Sequence, residues 1–162
     1  MTDLRAAATF SRADVVRPEW VDYNGHMGDF AYAIAFSQTV TAFMDAIGID
    51  RAYRDATSAT LYTLDMRIGY QRECHQGMAL ELTLHVLAAD TKRMHLYIEM
   101  HDSDGNLLAW NEQVQLHVSR ASGQPKAAVF PDHIAARIVK AAEAGATILP
   151  LAHIDRRIGL GR

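Results

Sequence analysis

Asp22, Asn24, His26 and Asp29 stand within eight positions of one another, in the run Trp20-Val21-Asp22-Tyr23-Asn24-Gly25-His26-Met27-Gly28-Asp29. A carboxylate in such company can act as a base or a nucleophile, and a nearby histidine or asparagine can orient it or the water it activates. Gly25 and Gly28 relax the backbone where it must turn sharply or let a ligand approach. The run leads directly into a helical pattern, and the first N–H groups of a helix stabilise negative charge held in front of them. A base beside donors aimed at a developing oxyanion is the requirement of acyl transfer to water. The same residues also suit an Asx-turn at Asp22 and Asn24 with an idle loop histidine, so the loop by itself leaves both readings open.

The elements that must hold this loop follow from periodicity. Residues 9–16 read as a short first strand, closed by Arg17-Pro18. From Asp29 to Ile47 the spacing of Phe30, Ala33, Ile34, Val40, Phe43, Met44 and Ile47 predicts a long helix with one buried stripe. Asp29 is its expected N-cap and Gly48 its left-handed end, and residues 50–56 add a short helical turn. Period-2 alternation then predicts strands at 60–70 (Tyr62, Leu64, Met66, Ile68, Tyr70), 79–88 (Leu80 to Val86) and 93–101 (Met94 to Met100). A fourth, at 107–118, is carried by Leu108, Trp110, Val114, Leu116 and Val118, with Glu112 as the exception. Asp104-Gly105 marks a hairpin, and 131–144 a final helix with Pro131 at its first position. The expectation is an α+β domain: a long helix against a five-stranded antiparallel sheet, its last four strands in a meander.

The 162 residues suggest a single domain, 1–162, with a core at about 9–145 and a tail at 146–162. A net charge of −3 without a basic face argues against nucleic acid as a partner. The one cysteine, Cys74, forbids an intrachain disulfide, and neither a leader nor a membrane span is expected, so the expected location is the cytoplasm. Cys74 reads as a small buried residue rather than a nucleophile. His75, His85, His95, His101 and His117 are scattered without the spacing of zinc ligands, so no metal is expected, and no cofactor.

Asp22-Tyr23-Asn24-Gly25-His26-Met27 resembles the D-x-N-x-H signature of plant acyl-ACP thioesterases, and Tyr70-Gln71-Arg72-Glu73-Cys74 resembles their Y-R-R-E-C block. Asp22 and Gly25 also match the 4-hydroxybenzoyl-CoA thioesterase branch, whose catalytic Asp precedes a Gly by three positions. The runs WVDYNGHM, DTKRMHLYIEMHDSDGNLLAW and LHVSRASGQP are similar to betainyl-CoA thioesterases of carnitine degradation. Gly28 departs from these groups, which usually carry Asn or Thr there. The resemblance implies a hotdog fold, in which the sheet wraps the long helix, and hydrolysis of a short acyl-CoA by a homodimer or tetramer.

By the same resemblance Asp22, Asn24, His26 and Glu73 form the catalytic set, with Asp22 the first choice as base or nucleophile. Backbone N–H groups from Met27 to Asp29 would be the oxyanion donors. Trp20, Tyr23, Gly25, Met27, Gly28, Asp29 and Tyr32 would contact substrate, the aromatic rings by cation–π contact if the acyl group carries a trimethylammonium. Arg67, Arg72, Lys92 and Arg93 are candidates for CoA phosphates. Two other classes stay open: a hotdog dehydratase or hydratase, and a non-catalytic acyl-CoA-binding module.

Overall fold

The computed structural model describes residues 10–148 together with 151, 153, 154, 158 and 159. Most of the tail expected at 146–162, and residue 9 of the first strand, lie outside the described residues. In order the chain forms β1 (Phe10–Val15), a 3₁₀ turn (Pro18–Trp20), α1 (Asp29–Ile47), α2 (Arg51–Thr57), β2 (Ala59–Tyr70), β3 (Ala79–Ala89), β4 (Arg93–His101), β5 (Leu107–Ser119), β6 (Lys126–Ala127) and α3 (Asp132–Ala146). The five long strands and the helices fall where periodicity puts them, and β6 is an addition of two residues paired to Val118 and Ser119.

The sheet is antiparallel in the order β1-β3-β4-β5-β2. Only β3, β4 and β5 form a meander, so the expected four-strand meander is corrected: β2 lies at the far edge against β5 rather than beside β3. The reason is α1. Its 19 residues extend about 28 Å, more than the roughly 19 Å of four strand spacings, and so carry the chain from one edge of the sheet to the other.

The faces also differ from the periodic reading. α1 buries Ala31, Tyr32, Ala35, Phe36, Thr39, Val40, Phe43, Met44 and Ile47, whereas Phe30 and Ile34, expected inside, are 50% and 38% exposed. The helix is apolar almost all round, so period alone could not select the face. By length and composition it could cross a membrane, contrary to the expectation of no such segment; here half of that stretch is buried inside the protein.

In β2 a register shift between Thr63 and Asp65 splits the alternating row. Tyr62 and Met66 therefore no longer share a face. In β5 the row opposite Ile98, Leu96 and Met94 is Asn111, Gln113 and Gln115, not the apolar residues. These buried amides satisfy one another: Gln113 Nε2 donates to Asn111 Oδ1, and Gln115 Nε2 donates to Gln113 Oε1, each at 2.6 Å. The opposite face of β5 is covered as well, since Trp110 stacks on Tyr97 and on His153. With both faces buried, alternation carries no direction.

The ends of the helices are ordinary. Gly28 holds the N-cap position of α1 and Asp29 the first helical one, one place later than expected, and Asp29 Oδ1 accepts the Phe30 N–H. Gly48 closes α1 at φ 97°, as expected. Pro131 is the N-cap of α3 rather than its first residue. The main core lies between the sheet and the helices α1 and α3, around Phe36, Phe43, Leu82, Leu84, Ile98 and Ile134.

Candidate active site

Residues 20–28 fold back on themselves. Gly28 N–H donates to the Trp20 carbonyl (2.8 Å), Asp22 N–H to that of His26 (2.9 Å), and Gly25 N–H to that of Asp22 (3.0 Å). Gly25 turns the tip at φ 82°, in the left-handed region that a side chain would disfavour. Asp22 Oδ1 accepts the Asn24 N–H at 2.8 Å, so the Asx-turn is present. It engages one oxygen only; among the described residues Oδ2 has no hydrogen-bond partner, and the carboxylate remains available to a ligand.

A second segment completes the site. After β2 the chain runs through Gln71 to Met78 without regular structure, and Met27 N–H donates to the Cys74 carbonyl at 2.8 Å. This single bond staples the loop to residues 73–75. It sets His26 Nε2 at 3.3 Å from Glu73 Oε2 and packs the His26 ring edge-on against His75, with centroids 4.9 Å apart.

Asp22, Asn24, His26 and Glu73 line one cavity of about 370 Å³, together with Met27, Asp29 and Tyr32. Tyr70, Gln71 and Arg72 complete its wall. The other expected contacts fall elsewhere in the chain. Tyr23 is 97% exposed, and Trp20 is buried at 3% with the Arg17 guanidinium 4.4 Å from its ring centre. Gly25 and Gly28 serve the backbone; a Cβ on Gly28 would stand 2.5 Å from the Phe30 ring, which must then move.

The aromatic partner that sequence reasoning passed over is Tyr70. It meets Tyr32 edge to face at 5.1 Å, and the charge of Asp29 acts on its hydroxyl. Burial first, and then Asp29, raise the Tyr70 pKa; burial also raises that of Tyr32, so both rings stay neutral. Burial raises the Cys74 thiol as well, and the side chain is fully enclosed, so it is a protonated packing group. Alternation placed Tyr70 on a core row, and the signal that could have found it was its place at the head of the Tyr70-to-Cys74 block that carries Glu73.

The expected oxyanion donors narrow to one. Met27 N–H and Gly28 N–H are spent on carbonyls and Phe30 N–H on Asp29 Oδ1, so the Asp29 N–H, at the first position of α1, is the one left for a ligand. Of the four basic candidates, Arg72 lines the cavity. Arg67 pairs with Glu112 and donates to the carbonyls of His153 and Ile154, and Arg93 pairs with Asp90.

Comparison with known proteins gives this geometry a context. Residues 16–138 match the family model described as the thioesterase-like superfamily. A betainyl-CoA thioesterase from Pseudomonas aeruginosa is 37% identical over 146 residues, covering 90% of this chain and 91% of that protein. A Staphylococcus aureus protein crystallised in complex with CoA superimposes with a TM-score of 0.86 at 28% identity, over 94% of this chain and 95% of that one. A crystal structure from Pseudomonas putida KT2440 does so with a TM-score of 0.77 at 30% identity, over 96% and 97%.

Proposed function

This chain belongs to the thioesterase-like superfamily, and from that premise we propose that it hydrolyses short acyl-CoA thioesters whose acyl group carries a quaternary ammonium, betainyl-CoA foremost. The fold is the hotdog fold of that superfamily and the activity is acyl-CoA thioester hydrolysis. The observation that carries the narrower reading is the wall of the cavity. Three carboxylates, Asp22, Asp29 and Glu73, face it against one guanidinium, Arg72, and Asp29 stands beside the paired rings of Tyr32 and Tyr70. A cation over a ring face gains about 0.5–2 kcal/mol, most when it is desolvated, and a carboxylate adds to it. An anionic acyl group would meet the same wall as repulsion.

In this reading Asp22 delivers the attack on the thioester carbonyl, through the oxygen that the Asx-turn leaves open. The Asp29 N–H and the positive end of α1 receive the oxyanion. Glu73 is the base that takes a proton from the water, His26 orients that carboxylate from 3.3 Å, and Asn24 positions the attacking group. Water enters, and the free acid and CoA leave. The D-x-N-x-H resemblance supports these roles, and the convergence of the four side chains on one cavity is consistent with them. Both carboxylates beside the Asp29 N–H, the one of the three expected donors left open, favour hydrolysis over a dehydratase or a binding module.

The test compares betainyl-CoA with 3,3-dimethylbutyryl-CoA, its neutral isostere. The expected kcat/KM ratio is about tenfold or more in favour of the cation, corresponding to roughly 1.4 kcal/mol. Tyr70→Leu should bring the ratio towards one while turnover of the neutral ester survives. Equal kcat/KM for the two esters in the wild type would remove the charge from the reading and leave a short-chain thioesterase.

A homodimer, formed along β2, belongs to the same proposal. Among the described residues this 12-residue strand pairs with β5 on one side only; it exposes Leu64, Met66 and Tyr70, and Met66 lines one groove with the outward Ile34 of α1. A long apolar edge is normally covered or paired. Sedimentation velocity should give twice the chain mass at micromolar concentration; a monomer that remains fully active there refutes the assembly.

A further inference from the structure

The sequence shows no zinc-ligand spacing because the ligands come from two segments: His26 lies 49 positions before His75. The staple from Met27 N–H to the Cys74 carbonyl brings the segments together, and one donor atom each from His26, Glu73 and His75 then lies within 4.8 Å of the other two. The His26–Glu73 separation of 3.3 Å already matches the edge of a tetrahedral zinc site, about 3.3–3.5 Å for bonds near 2.1 Å. His75 must close the remaining gap by turning its ring from the edge-on contact with His26, and both it and Glu73 are exposed. The backbone beneath them is fixed: Met78 N–H donates to the His75 carbonyl (3.1 Å), Gly77 N–H to that of Val16 (2.8 Å), and Val16 N–H to that of Met78 (2.9 Å).

We propose that His26, Glu73 and His75 form a binding site for a divalent transition-metal cation of the zinc class, and that filling it switches hydrolysis off. Two imidazoles and one carboxylate suit zinc, cobalt or nickel and discriminate against magnesium and calcium, which prefer oxygen alone. Three protein ligands leave a fourth position for water. Inhibition follows because the cation takes the His26 nitrogen and the Glu73 oxygen that the reaction uses. This part rests on the roles proposed above, whereas binding itself does not. His75 belongs to the metal set alone, which makes it the residue to change.

The probe is cobalt, whose visible absorption reports a site of low coordination, added to the metal-free protein. One equivalent should bind with that absorption, and zinc should displace it. His75→Gln should weaken binding at least about tenfold, and His75→Asp, which restores a ligand, should recover part of the loss. His133→Gln, at an exposed position on α3, serves as the control and should change nothing. Turnover is followed by loss of the thioester rather than by free thiol, because released CoA would itself take up zinc. Saturating zinc should suppress the wild type at least tenfold, chelation should restore it, and His75→Gln should resist at the same concentration while its metal-free turnover stays near wild type. Equal cobalt affinity in wild type and His75→Gln overturns the site. Metal bound with full turnover overturns the switch and, separately, the roles given to His26 and Glu73. Failure of the metal-free wild type to hydrolyse any acyl-CoA ester would instead count against the function.

Discussion

Asp22→Asn and Glu73→Gln are each expected to lower kcat by about two to four orders of magnitude, the usual worth of a positioned acid or base. Neither change should disturb the fold. An asparagine at position 22 can still accept the Asn24 N–H that Oδ1 accepts now, so the Asx-turn survives, and Glu73 is 69% exposed at its side chain. What each variant loses is the charge. His26→Ala should cost less, about 10–100-fold, if the ring orients the reacting groups rather than attacking. Steady-state kinetics on the preferred ester, beside thermal melts of each variant, separate loss of chemistry from loss of structure. Near-wild-type turnover in either carboxylate variant would remove that residue from the mechanism.

The largest effect on stability is expected at Gly145, in the last turn of α3. A Cβ there would sit 1.9 Å from the carbonyl oxygen of Val86, on the backbone of β3. No rotamer change relieves an overlap with backbone, so Gly145→Ala must lift the end of the helix from the sheet. The cost is about 2–3 kcal/mol, as for other overpacked sites, or roughly 5–10 °C in Tm for a chain of this size. Below its new Tm the variant should keep the wild-type kcat, because its cavity is formed by other segments. A shift below about 2 °C would mean that α3 slides to admit the methyl group.

These two cases mark where sequence is informative and where it falls short. The loop from Asp22 to Asp29 is legible because its chemistry is local: the residues are close in the chain, and the helix that follows fixes their direction. Glu73 came into view through a motif, since nothing local links it to His26. The roles of Tyr70, which opens the same block, and of His75 are not legible, because each gains its meaning from a neighbour about 40 or more positions away, Tyr32 in one case and His26 in the other. The strands were equally legible and their faces were not. Alternation fixes a period but not a phase when both sides of a strand are covered, as at Trp110 and Gln113 in β5, and one bulge reverses it, as between Thr63 and Asp65 in β2. The oxyanion donor needed the hydrogen bonds themselves, since three neighbouring N–H groups look alike until two are spent.

The apolar circumference of α1 also has a consequence for biosynthesis. The helix ends at Ile47, but the strands that cover it are complete only at Ser119. At ribosomal rates of about 5–20 residues per second, it emerges and waits roughly 4–14 s before its own sheet exists. During that interval it offers a 19-residue segment that qualifies by length and composition as membrane-spanning. Such a segment is expected to engage the ribosome surface or a holdase until β3 to β5 arrive. Yield in the cell should then respond to the rate of elongation between Ile47 and Ser119, with the stability of the finished fold unchanged.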